Sequence, residues 1–72
     1  MDFVVEAGRE LWAVEVKAAR SVHLHDTRGL EAFSEHAGRV VRQAVVFLGP
    51  RRQRLGKVEA IPLNEFLAEL PA

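Results

Sequence analysis

A chain of 72 residues holds one domain at most, and at that size a single core removes only about 60 to 65% of the unfolded chain's surface from water. A hydrophobic fraction of 49% and a charged fraction of 28% are those of a folded globular protein and exclude a disordered tail. Ten basic and ten acidic residues cancel and cysteine is absent, which excludes a global field drawing the chain to nucleic acid or anionic lipid, disulfides, and thiolate metal sites.

In chain order, Asp2 to Glu6 (DFVVE) alternates weakly and is rich in β-branched residues. Ala7 to Glu10 (AGRE) carries a glycine turn signal, and Leu11 to Lys17 (LWAVEVK) resumes the alternation. A β-hairpin over residues 2 to 17 is predicted. Side chains alternate along a strand, so Leu11, Ala13, Glu15 and Lys17 share one face while Trp12, Val14 and Val16 share the other. The pattern breaks from Ala18 to Asp26. Asp26 or Thr27 then offers an N-cap to a helix whose apolar positions are Leu30, Phe33 and Ala37, and Gly38 is placed to end it.

Val40 to Leu48 reads as a buried strand closed by Gly49-Pro50, and its apolar end suits a central or parallel position reached through a crossover helix. Arg51 to Gly56 (RRQRLG) reads as a basic loop and Lys57 to Ile61 as a short strand. Pro62 opens a terminal helix over Leu63 to Leu70, with Phe66, Leu67 and Leu70 on its buried side. The expected order is β-β-α-β-β-α, a small mixed sheet with a crossover helix and a C-terminal helix.

A hairpin, helix and strand, with Asp2 opening the first strand and Glu15-Val16-Lys17 closing the second, resembles the PD-(D/E)XK restriction-endonuclease-like superfamily. More closely, DFVVEAGRELWAVEVKAA followed by DTRGLEAF and VVFLG is similar to the C-terminal domain of uncharacterised bacterial and archaeal AAA-type ATPases. The resemblance implies a catalytic trio of Asp2, Glu15 and Lys17. Asp2, Glu15 and the backbone carbonyl of Val16 would hold Mg²⁺ or Mn²⁺, a hard cation that takes oxygen ligands. The metal would activate a water and polarise a nucleic-acid phosphodiester, with the Lys17 ammonium offsetting the developing charge. The other reading of Glu15 and Lys17 is an exposed same-face ion pair, worth under about 1 kcal/mol.

The family core begins with a helix and a strand upstream of this hairpin, so the expectation is a truncated restriction-endonuclease-like core filling residues 1–72. The ATPase's phosphate loop, G-x-x-x-x-G-K-[ST], does not occur in the chain. Glu6 lies about 13 Å along the strand from Asp2, too far to share one ion with it.

His23-Leu24-His25-Asp26 could chelate zinc through two histidines, but its spacing departs from metallohydrolase motifs and solvent-facing loop histidines explain it better. Arg51, Arg52 and Arg54 form the one basic cluster and are candidates for phosphate contact; the alternative is a solvated turn. Trp12, Phe3, Phe33, Phe47 and Phe66 read as core residues. The longest apolar run, Ala44 to Leu48, is too short to cross a bilayer, and the first residues lack a signal-peptide pattern, so a cytoplasmic protein without membrane contact is expected.

With neither disulfide nor zinc to staple a small core, the expectation is a homodimer or packing onto an ATPase domain, because an open sheet edge invites pairing. The functional expectation is a non-catalytic interaction or dimerisation module, the alternative being the Mg²⁺-dependent nuclease.

Overall fold

A computed structural model describes residues 2–70, with the backbone alone at residue 41. Its elements are β1 (Phe3–Ala7), β2 (Glu10–Val16), a 3₁₀ turn (Leu24–Thr27), α1 (Arg28–Ala37), β3 (Val40–Phe47), β4 (Gln53–Leu55), β5 (Val58–Pro62) and α2 (Leu63–Glu69). The strands form one mixed sheet in the order β1-β2-β3-β5-β4. β1 is antiparallel to β2, β3 runs parallel to both β2 and β5, and β4 is antiparallel to β5. β3 is therefore central and parallel on both sides, as its apolar end implied.

Side-chain alternation divides the core into two layers. Leu30 of α1 packs with Ala13, Val45, Phe47, Val58 and Ala60 on one face. Phe66 of α2 packs with Val14, Ala44, Val46 and Ile61 on the other, with Val5 and Trp12 against them. The separation of Ala13 from Trp12 and Val14 follows the two faces read from the second strand.

α1 ends at Gly38, whose φ of 68° places it in the left-handed region while its N–H donates to the Ser34 carbonyl. Gly49 is required for a different reason. A β-carbon there would lie within 3 Å of both the Phe47 ring and the Arg20 carbonyl oxygen, so the chain passes the core only where no side chain stands.

Three expectations are corrected. The Arg51–Gly56 stretch is not wholly a loop: Gln53–Leu55 pairs with β5 in the register Gln53↔Ala60, Arg54↔Glu59, Leu55↔Val58, giving five strands rather than the four of β-β-α-β-β-α. Three residues with one apolar member carry no readable alternation, and the strand exists because β5 offers it a ladder. On α2, Phe66 is buried, but Leu67 and Leu70 are 57% and 38% exposed. Phe3 is not a core residue either, at 40% exposure on an edge strand.

Candidate functional site

The parallel strands end together on one side of the sheet, where α/β folds usually place their ligand crevices. The chain leaves β2 there, crosses to the 3₁₀ turn, and enters α1. An open cleft of about 330 Å³ lies between these parts, lined by Glu15, Val16, Lys17, His25, Asp26 and Gly29. Glu15 and Lys17 share this cleft because they are two apart on one strand. The Lys17 backbone N–H donates to the Val46 carbonyl at 2.9 Å, which ties the end of β2 to β3.

Asp26 organises the cleft. Its Oδ2 accepts from the Lys17 ammonium at 2.5 Å and from the His23 backbone N–H at 2.7 Å, and its Oδ1 lies 3.3 Å from His25 Nε2. The His23 contact closes the 3₁₀ turn, of which His23 is the N-cap and Asp26 the third residue, so Asp26 does not cap α1; Thr27 is the N-cap residue of α1, as the alternative had it, but makes no side-chain cap bond. The Lys17 hydrogen bond first, and the His23 N–H second, hold the Asp26 carboxyl below the usual aspartate range. Nothing in the local pattern marks Asp26 as the partner of Lys17. The contact is made by the nine-residue excursion that returns the chain to the end of β2.

Asp2 stands apart. It is not in the cleft wall: its Oδ2 accepts the Val16 backbone N–H at 2.7 Å, while its own N–H donates to the Val14 carbonyl at 3.1 Å. The aspartate thus prolongs the hairpin ladder beyond the Phe3–Val14 pair. Among the described residues, no group of three or more His, Cys, Asp or Glu side chains is placed to hold a metal ion. The His23 and His25 rings are stacked, centroids 5.9 Å apart and 7° from parallel, so they present faces rather than converging nitrogens. Asp2 has one oxygen engaged by backbone, and the ammonium of Lys17 is held by Asp26.

The arginines of residues 51–54 do not join this cleft. Arg52 lies on the α2 side of the sheet, where its guanidinium meets Glu65 Oε1 at 2.8 Å, Glu69 Oε2 at 2.7 Å and Glu59 Oε2 at 3.7 Å. Arg42 reaches the same carboxylates, Glu59 at 3.0 Å and Glu69 at 3.1 Å, with its guanidinium carbon 4.8 Å from the centre of the Trp12 ring. Burial by itself would raise the Glu69 carboxyl, but the hydrogen bonds from Arg42 and Arg52 outweigh it and the net shift is downward. These five residues clamp α2 to the sheet. Arg51 and Arg54 are exposed. The one readable hint of the clamp was a cation, Arg42, inside a strand otherwise apolar at its end.

Residues 1–66 match the family described as Domain of unknown function (DUF4143). The chain belongs to that family. No curated protein and no solved structure matches it. The DUF4143 match runs from the hairpin through the whole sheet to Phe66, the residue that seats α2, so the cleft and both core layers lie within it. Among the described residues, no helix is long and apolar enough to cross a membrane.

Proposed function

We propose that this DUF4143 chain is a non-catalytic interaction module that pairs with a second copy of itself through β1, and that it shares the restriction-endonuclease-like ancestry of AAA-type ATPase C-terminal domains. The observation that carries the reading is the contrast between the two ends of the sheet. β4 has only three residues, carries Arg54 and directly follows Arg52, the kind of short, charged edge that discourages pairing. β1 is Phe-Val-Val-Glu-Ala, with neither lysine nor proline, and only one of its sides is bonded to β2. Antiparallel pairing of two β1 strands across a two-fold axis would satisfy the open backbone groups and continue the sheet through both subunits.

The cleft supports the same reading from the other direction. Asp2 closes the hairpin, Asp26 and Lys17 hold the 3₁₀ turn against β2, and these bonds give each group a structural purpose. A nuclease acting through Asp2, Glu15 and Lys17 would require the two carboxylates to meet around one cation, with the ammonium turned toward a phosphate.

Sedimentation velocity at micromolar concentration tests the proposal. The wild type is expected to sediment as a dimer and Val4→Lys, which places a cation on the exposed side of β1, as a monomer. A monomeric wild type overturns the pairing and leaves docking on another domain. Calorimetric titration with Mg²⁺ and Mn²⁺, with a plasmid-nicking assay alongside, is expected to show no binding and no cleavage. Nicking lost in Glu15→Gln would establish the nuclease instead.

A further inference from the structure

A seven-residue helix has no stability of its own in water, so α2 is helical only while it is docked. Little apolar surface docks it. Phe66 is 3% exposed, whereas Leu70, Leu63 and Leu67 are 38%, 41% and 57% exposed. Nor does the backbone hold it: among the described residues, no main-chain hydrogen bond joins α2 to a strand, and the pairing of β5 with β3 is complete at Phe47↔Pro62 before the helix begins. What remains is charge. Glu65 meets Arg52, and Glu69 meets both Arg52 and Arg42.

These pairs can part without stranding a charge. Breaking a buried ion pair is costly because one partner is left alone away from water. Here the side chains are 17% to 40% exposed, and Glu59 on β5 serves both arginines, 3.0 Å from Arg42 Nε and 3.7 Å from Arg52 Nη1. When Glu65 and Glu69 leave, both guanidiniums keep Glu59, Arg42 keeps the Trp12 ring 4.8 Å away, and the freed carboxylates pass into water. The Pro62–Leu63 junction is a suitable pivot, because Pro62 is extended, with φ −56° and ψ 141°, and stays anchored in β5 while the helix turns.

We propose that α2 is a lid: a flap latched by ion pairs that swings out about Pro62–Leu63 and uncovers Val14, Ala44, Val46 and Ile61 while the sheet and α1 stay folded. The other core layer, where Leu30 packs with Ala13, Val45 and Ala60, contains no residue of α2 and is untouched by the opening. The latch answers to ionic strength. Attraction between partly exposed charges is screened beyond about 10 Å in 0.1 M salt and beyond about 3 Å in 1 M. Salt therefore loosens the glutamates and leaves the burial of Phe66, which is not electrostatic, in place. The lid does not depend on pairing at the β1 edge, since β2 separates that edge from β3 and β5, the strands that carry Arg42 and Glu59.

The chain contains no cysteine, so a single introduced thiol reports on the layer that holds it. Ala44 packs in the Phe66 layer and Ala60 in the opposite one, and both are fully buried. Ala44→Cys and Ala60→Cys are labelled with iodoacetamide, a neutral reagent, at about 0.1 M and about 1 M sodium chloride. Ala44→Cys is expected to react at least about tenfold faster than Ala60→Cys, and at least about threefold faster again at the higher salt, whereas Ala60→Cys shows no rise. Adding Arg52→Gln to Ala44→Cys should raise the low-salt rate and shrink the salt dependence. Hydrogen exchange of the unsubstituted chain checks the variants: the amides of Leu67 to Glu69 should lose protection with salt while those of Val45 and Val46 keep it. Equal labelling of the two thiols, an Ala44→Cys rate indifferent to salt, or joint loss of protection in α2 and β3 overturns the lid, because the helix would then leave only when the whole domain unfolds.

Discussion

The seating of α2 makes a quantitative prediction about two adjacent residues. Phe66 is 3% exposed among Val14, Ala44, Val46 and Ile61, whereas Leu67 is 57% exposed. Truncating a buried phenylalanine to alanine removes its transfer energy and leaves a cavity, costing about 3 to 5 kcal/mol. The terminal position of α2 lets it settle partly into the hole, which favours the lower end, about 3 kcal/mol. A domain of this size has a total stability of about 4 to 11 kcal/mol, so Phe66→Ala removes a quarter or more of it. Leu67→Ala gives up less than half of a side chain's burial and no enclosed volume, and should cost under about 1 kcal/mol. Urea unfolding followed by Trp12 fluorescence and by far-ultraviolet circular dichroism measures both. Equal losses for the two variants, or a Phe66→Ala cost below about 1 kcal/mol, would refute the assignment of Phe66 as the anchor of α2 and Leu67 as an exposed neighbour.

Other consequences follow from single contacts. Gly49→Ala forces a methyl against the Phe47 ring and the Arg20 carbonyl, and should destabilise by about 1 to 3 kcal/mol in the same urea assay. Asp26 has a folded pKa below its unfolded value. Its contribution is therefore fully present above the ordinary aspartate range near 4 and lost as pH falls through the lower folded value. Acid unfolding of Asp26→Asn should lack that component, a difference readable by comparing unfolding midpoints at pH 7 and pH 3.

The hairpin was readable because a glycine turn signal separates a β-branched first strand from an alternating second one, whose two faces are both used: Ala13 enters one core layer while Trp12 and Val14 enter the other. β3 was readable for the opposite reason, since an unbroken apolar end has nowhere to sit but between two neighbours. β4 was not, because its pairing energy comes from β5 rather than from Gln53, Arg54 and Leu55 themselves. The terminal helix was read correctly as a helix and correctly at Phe66, but wrongly at Leu67 and Leu70, which are exposed. Periodicity gives an apolar arc but not the roll of the helix, which the long-range pairs of Glu65 and Glu69 with Arg52 and Arg42 decide. The candidate site shows the same limit. The spacing of Glu15 and Lys17 put both in one cleft, but which acid meets the lysine was settled by the path of residues 18–26, and that path brings Asp26.

Backbone hydrogen exchange of β1 tests the pairing proposal most directly. In the isolated chain the side of β1 turned away from β2 pairs with no other strand among the described residues, so the amides on that side exchange quickly. Recorded on Phe3 to Ala7 across a concentration series through the association range, protection of these amides should rise with concentration in the wild type and stay flat in Val4→Lys. Protection that does not change with concentration in the wild type would contradict self-association through this edge.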